Sequence, residues 1–292
     1  MTYVISAIAN PAKRIIDSPL LERLTAAVKG REAVELAPGA AYDIPVAAIP
    51  ADDDALRALG RHAGLDINIL PAAGRRKKLL IADMDSTIIE QECIDEIAEY
   101  AGKRAEISAI TERAMRGELD FEGALNARVA MLKGLPESVL AETFKKRITL
   151  TPGALTLVRT MNAMGARTAL VSGGFTFFTS RVAMRTGFQY NQANSLLIEN
   201  GALTGKVLEP ILGRAAKQEA LERIAAETGI ALDETMAVGD GANDLSMLGR
   251  SGLGVAFHAK PAVAQAAHAR IDHGDLTALL YLQGIPQAEF VE

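Results

Sequence analysis

The chain has 292 residues, enough for two compact domains, and 49% of them are hydrophobic, so a large core can be buried. The formal net charge of −5 argues against a nucleic-acid-binding protein, which usually carries a basic stripe. The single cysteine, Cys93, excludes an internal disulfide and fits a reducing compartment.

The apolar stretches of the sequence indicate in which compartment we expect the protein. The first residues lack the basic segment of a signal peptide, and no stretch approaches the roughly 20 apolar residues that span a bilayer. We therefore expect a soluble, cytoplasmic protein with no membrane partner and no nucleic-acid partner.

The first 70 residues alternate short strand and helix patterns. Strands are expected at 2–9, 33–37, 41–47 and 66–70, with helices at 18–30 and 51–64. This βαββαβ order is typical of a ferredoxin-like α+β domain, which we place at residues 1–74. A regulatory domain and a packing or dimer module are the two alternatives for its role. The segment 71–78 is rich in proline, glycine and basic residues, and we interpret it as a solvated linker.

From residue 79 the pattern changes to apolar runs without polar alternation, which are typical of parallel strands buried on both faces. These runs are LLIAD (79–83), RTALVSGG (167–174), TMAVGDG (235–241) and GLGVAF (252–257). The helical patterns between them are at 153–164, 175–186, 214–228 and 242–249. The alternation predicts an α/β fold with a doubly wound, Rossmann-like parallel sheet in residues 75–292.

Two further segments interrupt this alternation. Helices are expected near 92–101, 103–115, 120–132 and 136–146, within an insertion at about 90–150. An all-helical insertion at the tip of a strand is well placed to form a cap over a site there. The segment 188–207 is expected to be a hairpin with Asn200-Gly201 at its turn.

Three of the apolar runs end in polar residues. The tips are Asp83 and Asp85, then Ser172-Gly173-Gly174, and then the segment 240–244. Because the ligand crevice of an open α/β sheet lies at the carboxyl ends of its strands, we expect the three tips to converge. The carboxylates offer oxygen ligands, and no nearby histidine or cysteine has the spacing of a metal site. The metal that such a set favours is Mg²⁺.

Two features suggest an anion site beside these carboxylates. Ser172 and the following glycines lead into a helix, which offers a hydroxyl and free N–H groups, although an ordinary Ser-capped turn has the same pattern. Lys217 lies on the apolar stripe of its helix and either snorkels or reaches into the site. Phosphoryl transfer needs these parts, and a carboxylate can itself be the nucleophile.

The motifs DMDST (83–87), LVSGG (170–174), Lys217 and GDGANDLSML (239–248) resemble, in this order, the four motifs of the haloacid dehalogenase-like superfamily. The DxDST form, the helical insertion and GVAFHAKP (254–261) resemble the phosphoserine phosphatases of that superfamily more narrowly. The resemblance covers residues 78 to 285 and implies hydrolysis of O-phosphoserine to serine and phosphate, the last step of serine biosynthesis.

The resemblance also implies roles at the strand tips. Asp83 would attack phosphorus and become an aspartyl-phosphate, and Asp85 would act as the acid and then the base. The Asp83 and Asp240 carboxylates and the Asp85 backbone carbonyl would hold Mg²⁺, with Asp244 supporting them. The phosphoryl group would be held by Ser172, the Gly173 backbone and Lys217, with support from Asn243.

In the cap, the resemblance implies that Glu92 meets the substrate ammonium and that Arg128 grips its carboxylate. Met115 and Phe121 would line the pocket beneath. Two alternatives stay open: a phosphatase or phosphotransferase for another small phosphate ester, and an amino-acid sensor with a vestigial catalytic domain. A homodimer is possible.

Overall fold

The computed structural model describes residues 2–10, 12–13, 15–50 and 53–292, and its two main sheets have four and six strands. The N-terminal elements are β1 (Tyr3–Ala9), α1 (Ser18–Ala27), β2 (Val34–Ala37), β3 (Ala41–Val46), α2 (Asp53–Ala63) and β4 (Leu65–Pro71). The four strands are antiparallel in the order β2-β3-β1-β4, so the predicted βαββαβ region is confirmed. The first two residues of the predicted helix 51–64 lie outside the described residues.

One face of this sheet is covered by the two helices. Leu20 and Leu24 of α1 share a buried core with Ile5, Ile44 and other apolar residues of the strands. The start of α1 is fixed locally, because the Asp17 side chain accepts a 2.9 Å hydrogen bond from the backbone N–H of Leu20.

The second region contains the remaining elements. Its strands are β5 (Leu79–Ala82), β6 (Arg167–Phe175), β7 (Tyr190–Asn194), β8 (Leu196–Glu199), β9 (Ala202–Val207), β10 (Thr235–Gly239), β11 (Leu253–Phe257) and β12 (Ala269–Ile271). Its helices are α3 (Cys93–Ala98), α4 (Arg104–Met115), α5 (Phe121–Ala130), α6 (Ser138–Arg147), α7 (Ala154–Ala163), α8 (Thr176–Thr186), α9 (Arg214–Thr228), α10 (Leu245–Arg250), α11 (Pro261–Ala266) and α12 (Ala278–Tyr281).

Six of these strands form one sheet in the order β12-β11-β10-β5-β6-β7, and every neighbouring pair is parallel. The four apolar runs supply β5, β6, β10 and β11, which confirms the predicted α/β sheet. The two outer strands, β7 and β12, were not predicted as members of this sheet. An edge strand has a neighbour on one side only, and β7, with the sequence YNQAN, is too polar to show the apolar run of a central strand.

The predicted hairpin is confirmed in its second half only. Asn200 and Gly201 form the turn between β8 and β9, with left-handed φ values of 50° and 75°. The residues before Leu196 belong instead to β7 of the six-stranded sheet.

The helical insertion between β5 and β6 contains α3, α4, α5 and α6, as predicted, and we call these helices the cap. The hairpin β8–β9 is attached to it by backbone hydrogen bonds from Gly134 to Leu203 (2.9 Å), from Leu203 to Leu135 (2.8 Å) and from Glu137 to Gly201 (2.8 Å). The hairpin therefore packs as part of the cap, although it follows β7 in the chain.

Polar side chains of the N-terminal sheet bind the edge of the second region. The Asp66 carboxylate accepts the backbone N–H groups of Asp272 (2.7 Å) and Gly274 (2.7 Å). Asn68 bonds both the N–H and the carbonyl of Arg270, at 2.8 and 2.9 Å. Apolar residues of the same face, such as Val4, belong to a core that also contains residues of α12. The two regions are therefore packed against each other.

The prediction of a solvated linker at 71–78 is wrong for Arg75. Its guanidinium pairs with Asp43 and also donates to the carbonyl oxygens of Tyr281 and Leu282, both at 2.9 Å. Arg76 next to it is exposed and pairs with Glu289. The partners of Arg75 are far away in the sequence, so a short basic run cannot reveal them. Among the described residues, no helix has both the length and the apolar character needed to cross a bilayer.

Candidate active site

The three polar strand tips converge as predicted. Because β10, β5 and β6 are adjacent and parallel, their carboxyl ends reach the same edge of the sheet. The tip side chains that are buried there are Asp83, Asp85, Ser172, Asp240, Asn243 and Asp244, together with Lys217 from α9.

A tight turn carries the chain out of β5. The Asp83 side chain accepts the N–H of Met84 at 2.7 Å, and Ser86 adopts a left-handed φ of 54°. This conformation is rare for a residue with a side chain. It is tolerated here because hydrogen bonds hold the turn both before and after Ser86. The Ser86 hydroxyl donates to Glu92 at 2.7 Å, and the Thr87 hydroxyl donates to Asp240 at 3.3 Å.

Lys217 lies between two carboxylates. Its Nζ is 2.7 Å from Asp83 Oδ2 and 2.6 Å from Asp244 Oδ1. Burial alone would lower the pKa of this ammonium, but the charges of Asp244 and Asp83 together raise it. Lys217 therefore stays charged and reaches into the site rather than snorkelling to the surface.

Asp85 has different partners from Asp83. Its Oδ1 accepts the backbone N–H of Cys93 at 2.8 Å, and its Oδ2 accepts the Ser172 hydroxyl at 3.2 Å. Burial, and to a lesser extent the charge of Asp83, raises the pKa of Asp85 to about 6. A carboxyl with a pKa near neutrality can both give and take a proton.

Three carboxylates form a group that suits a metal ion. Oxygen atoms of Asp83, Asp240 and Asp244 all lie within 4.8 Å of one another. Burial and the charges of Asp244 and Asp83 raise the pKa of Asp240 well above its usual value. Asn243 Oδ1, on the same loop, is buried without a hydrogen-bond partner among the described residues. Such a set of oxygen donors fits a hard divalent cation.

The cap closes over the strand tips. The cavity between them has a volume of about 30 Å³ and is lined by Glu92, Met115, Phe121, Arg128, Asp83, Asp85, Ser172, Gly173 and Asn243, among others. Lys217, Asp240 and Asp244 lie beneath this lining, next to Asp83. All twelve residues singled out in the sequence are therefore placed at one site. The cavity is far smaller than ordinary ligand sites.

Glycines allow the close contact between the cap and the strand tips. A Cβ atom at Gly173 would lie 2.6 Å from Cζ of Phe121, and one at Gly241 would lie 2.6 Å from the sulfur of Met115. A Cβ atom at Gly174 would lie 2.5 Å from Asp85 Oδ2. A larger residue at any of these positions would separate groups that now touch.

Several supporting residues were not found from the sequence. Asn194, at the end of β7, donates to the Gly173 carbonyl at 2.9 Å and accepts the N–H of Leu212 at 2.7 Å. Asp95 and Thr111 lie behind Arg128, in the cap. The sequence patterns that could have revealed them were a polar Asn at a strand end and a Thr on the apolar side of a helix. Both patterns are common for other reasons, so they do not identify a site residue.

The comparisons with known proteins agree with this geometry. Residues 80–249 match the haloacid dehalogenase-like hydrolase family. The chain belongs to this family. The matched range contains the three strand tips, Lys217 and the whole cap, so the site described above lies inside the family's shared region.

Among curated relatives of the family, the phosphoserine phosphatase of Streptomyces coelicolor is 46% identical over 228 residues, which are 77% of this chain and 55% of that protein. The phosphoserine phosphatase of Albidiferax ferrireducens is 48% identical over 210 residues, which are 70% of this chain and 89% of that protein. This chain thus spans about half the length of the first relative and most of the second.

Solved structures of the family have the same fold. A haloacid dehalogenase family hydrolase from Salmonella enterica serovar Typhi has a TM-score of 0.84 and 34% identity, over 96% of this chain and 98% of that chain. A phosphoserine phosphatase solved as an analogue of its phospho-aspartyl intermediate has a TM-score of 0.68 and 43% identity, over 70% of this chain and 98% of that chain. The coverage of the first structure includes the N-terminal region.

Proposed function

We propose that this protein is a phosphoserine phosphatase, which hydrolyses O-phosphoserine to serine and phosphate through an aspartyl-phosphate. One observation carries the proposal: Asp83 and Asp85 stand at one strand tip but have separate partners. The Asp83 carboxylate lies 2.7 Å from the ammonium of Lys217, whereas burial raises the pKa of Asp85 to about 6. The identity to phosphoserine phosphatases supports the choice of substrate.

In the first step, the Asp83 carboxylate attacks phosphorus and the bond between phosphorus and the serine oxygen breaks. Asp85 gives its proton to the departing serine oxygen, so that serine leaves as the neutral alcohol. Ser172, whose hydroxyl donates to Asp85 Oδ2 at 3.2 Å, would lie next to the transferred group.

In the second step, Asp85 is a carboxylate and accepts a proton from water. The water oxygen bonds to phosphorus, the bond to the Asp83 oxygen breaks, and phosphate is released. The same residue therefore serves as acid and then as base, which its raised pKa suits.

We further propose Mg²⁺ as the metal, held by the carboxylates of Asp83 and Asp240 and by the backbone carbonyl of Asp85. When bound, it would neutralise the charge of the phosphoryl oxygens. Asp244 accepts both Lys217 and the N–H of Gly241 (3.1 Å), so its proposed role is to fix these groups around the metal ligands.

The phosphoryl group would be held by the Ser172 hydroxyl, the backbone of Gly173 and Lys217, with Asn243 at the opposite wall. In the cap, Glu92 would meet the substrate ammonium and Arg128 its carboxylate. Met115 and Phe121 line the same cavity and would exclude water from the reacting groups.

The second candidate is a family member that acts on another small phosphate ester. It would use the same strand tips, so the cap residues Glu92 and Arg128 decide between the two. The sensor hypothesis is less favoured, since the buried contacts of Asp83, Lys217 and Asp244 are complete. The domain boundary near residue 74 and a homodimer stay predictions.

A phosphate-release assay with Mg²⁺ tests the proposal on phosphoserine, phosphothreonine and a set of sugar phosphates. We expect kcat/KM to be highest for phosphoserine, and we expect Asp83→Asn to be nearly inactive. Asp233→Asn, at an exposed aspartate, is the matched control and should keep activity. Full activity of Asp83→Asn would contradict the nucleophile, and equal kcat/KM values across the panel would favour the second candidate.

A further inference from the structure

Two of the three guanidinium nitrogens of Arg128 donate hydrogen bonds to the protein, and the third, Nη2, donates none to a described residue. Arg128 is 5% exposed, its Nε donates to the Ala124 carbonyl at 3.1 Å, and its Nη1 donates to Thr111 Oγ1 at 3.0 Å. Within the described ranges, no carboxylate lies within 4.0 Å of its nitrogen atoms. A buried guanidinium with neutral partners alone is unusual, because its charge must be balanced by something close by.

Glu92, Asp95 and Asp85 supply negative charge near Arg128, and Asp95 is joined to it through a shared hydroxyl. Thr111 Oγ1 is 2.8 Å from Asp95 Oδ1, and the other carboxylate oxygen of Asp95 accepts the Ser108 hydroxyl at 2.6 Å. A hydroxyl has a single hydrogen, and a carboxylate is a stronger acceptor than the Ile107 carbonyl oxygen at 3.1 Å. The hydrogen bonds therefore run from Arg128 to Thr111 and from Thr111 to Asp95.

This arrangement keeps the Asp95 carboxylate out of direct contact with the Arg128 guanidinium. If Asp95 touched Arg128 directly, it would occupy the forked edge that binds carboxylates in pairs of parallel hydrogen bonds. Thr111 stands between them, and Nη2 of Arg128 stays free of hydrogen bonds to the described residues. Arg128 lines the cavity together with Glu92 and Asp85, whereas Thr111 and Asp95 are not among its lining residues.

The three residues come from three helices of the cap: Asp95 from α3, Thr111 from α4 and Arg128 from α5. Thr111 is 3% exposed, so the hydrogen bonds are shielded from water, where each would contribute little. The orientation of the guanidinium therefore depends on how these helices pack, and it is set before any ligand arrives.

We propose that Thr111 and Asp95 are positioning residues, which hold Nη1 of Arg128 so that Nη2 is free for the carboxylate of an amino-acid phosphate ester. The inference rests on the proposed function, which assigns a substrate carboxylate to Arg128. It goes further by naming the residues on which the selection of amino-acid esters over phosphorylated amines depends.

The test compares two substrates that differ in one group. O-phosphoethanolamine has the phosphate and the ammonium of phosphoserine but no carboxylate, and it is measured as an alternative substrate or a competitive inhibitor. Thr111→Val keeps the shape of the side chain and removes the hydroxyl, whereas Thr111→Ser keeps the hydroxyl. Wild type and both variants are compared for KM and kcat, with circular dichroism as the check of folding.

We expect Thr111→Val to raise KM for phosphoserine roughly tenfold, because a hydrogen bond to a charged group is lost, and to leave kcat within about twofold. The affinity for phosphoethanolamine should not change, and Thr111→Ser should restore KM for phosphoserine. Asp95→Asn keeps an acceptor oxygen for Thr111 and removes the charge, while the bond with Ser108 must reverse its direction. It should raise KM in the same direction even if Thr111→Val folds poorly.

The two ways to fail are distinct. If wild type prefers phosphoserine but the variants keep its KM, or if they weaken both compounds equally, then Thr111 and Asp95 do not position Arg128. If wild type itself does not prefer phosphoserine to phosphoethanolamine, the amino-acid substrate of the proposed function is wrong, and the role of these residues is rejected with it.

Discussion

The ammonium of Lys217 lies 2.7 Å from the carboxylate of Asp83, and the exposed fraction of each side chain is 2%. The same ammonium binds Asp244, so one positive charge holds two acids in the floor of the site. Removal of one partner from a buried ion pair leaves a charge without compensation, which costs far more than the loss of a surface pair.

Lys217→Met should therefore reduce both activity and stability. We expect kcat to fall at least about a hundredfold, because the charge that would meet the phosphoryl group is lost. The free energy of unfolding should fall by about 3–5 kcal/mol. Phosphate release and urea denaturation measure the two effects. Lys206→Met, at an exposed lysine, is the control and should change neither; an unchanged kcat in Lys217→Met would contradict the role of this residue.

Removal of the metal should loosen the site. The single charge of Lys217 cannot balance the three carboxylates of Asp83, Asp240 and Asp244, so Mg²⁺ should bind the folded chain and raise its Tm in proportion to the logarithm of its concentration. Differential scanning calorimetry with EDTA and with increasing Mg²⁺ measures the rise. Asp240→Asn should lose most of it and Asp233→Asn should keep it, whereas equal Tm values in EDTA and Mg²⁺ would speak against a metal at these carboxylates.

Gly173→Ala should push the cap away from the strand tips. The added Cβ would lie 2.6 Å from the ring of Phe121, and Gly173 does not have a positive φ, so the cost arises from the contact rather than from the backbone. We expect Gly173→Ala to lower kcat/KM strongly in the wild-type chain and less in a chain that carries Phe121→Ala. A double-mutant cycle measures this coupling. Additive effects of the two changes would show that the contact is not the cause.

Arg75 and Arg76 offer a matched pair of variants at the junction of the two regions. Arg75 and Asp43 are 11% and 9% exposed, whereas Arg76 and Glu289 are 53% and 43% exposed. Arg75→Ala should reduce the free energy of unfolding by about 3 kcal/mol, since Asp43 would stay buried without its partner. Arg76→Ala should change it by less than about 1 kcal/mol. Similar values for the two variants in urea denaturation would refute the buried role of Arg75.

The strand tips could be predicted because their chemistry is local. Asp83, Asp85 and Ser172 directly follow apolar runs, and parallel strands bring such ends together by geometry alone. Lys217 could also be found, since a charged residue on an apolar helix stripe is conspicuous. Glu92, Met115, Phe121 and Arg128 were identified only through the family resemblance.

The missed features depend on contacts between distant segments. Asp95 and Thr111 are proposed to act through the packing of three helices, and a Thr on the apolar side of a helix is too common a pattern to single them out in the sequence. Arg75 looks like part of a basic run until the fold places Asp43 beside it. The edge strands β7 and β12 are short or polar, so their place in the sheet is decided by the neighbouring strand and not by their own pattern.

The attachment of the hairpin β8–β9 to the cap has a mechanical consequence. Three backbone hydrogen bonds join the hairpin to residues 134–137, so an outward movement of the cap carries the hairpin with it. The chain enters the hairpin just after Asn194 and leaves it before Leu212. The side chain of Asn194 bonds both backbone groups of Leu212 and also donates to the carbonyl of Gly173. A movement of the hairpin would therefore pull on Asn194 and, through it, on the Gly173 backbone that is proposed to hold the phosphoryl group.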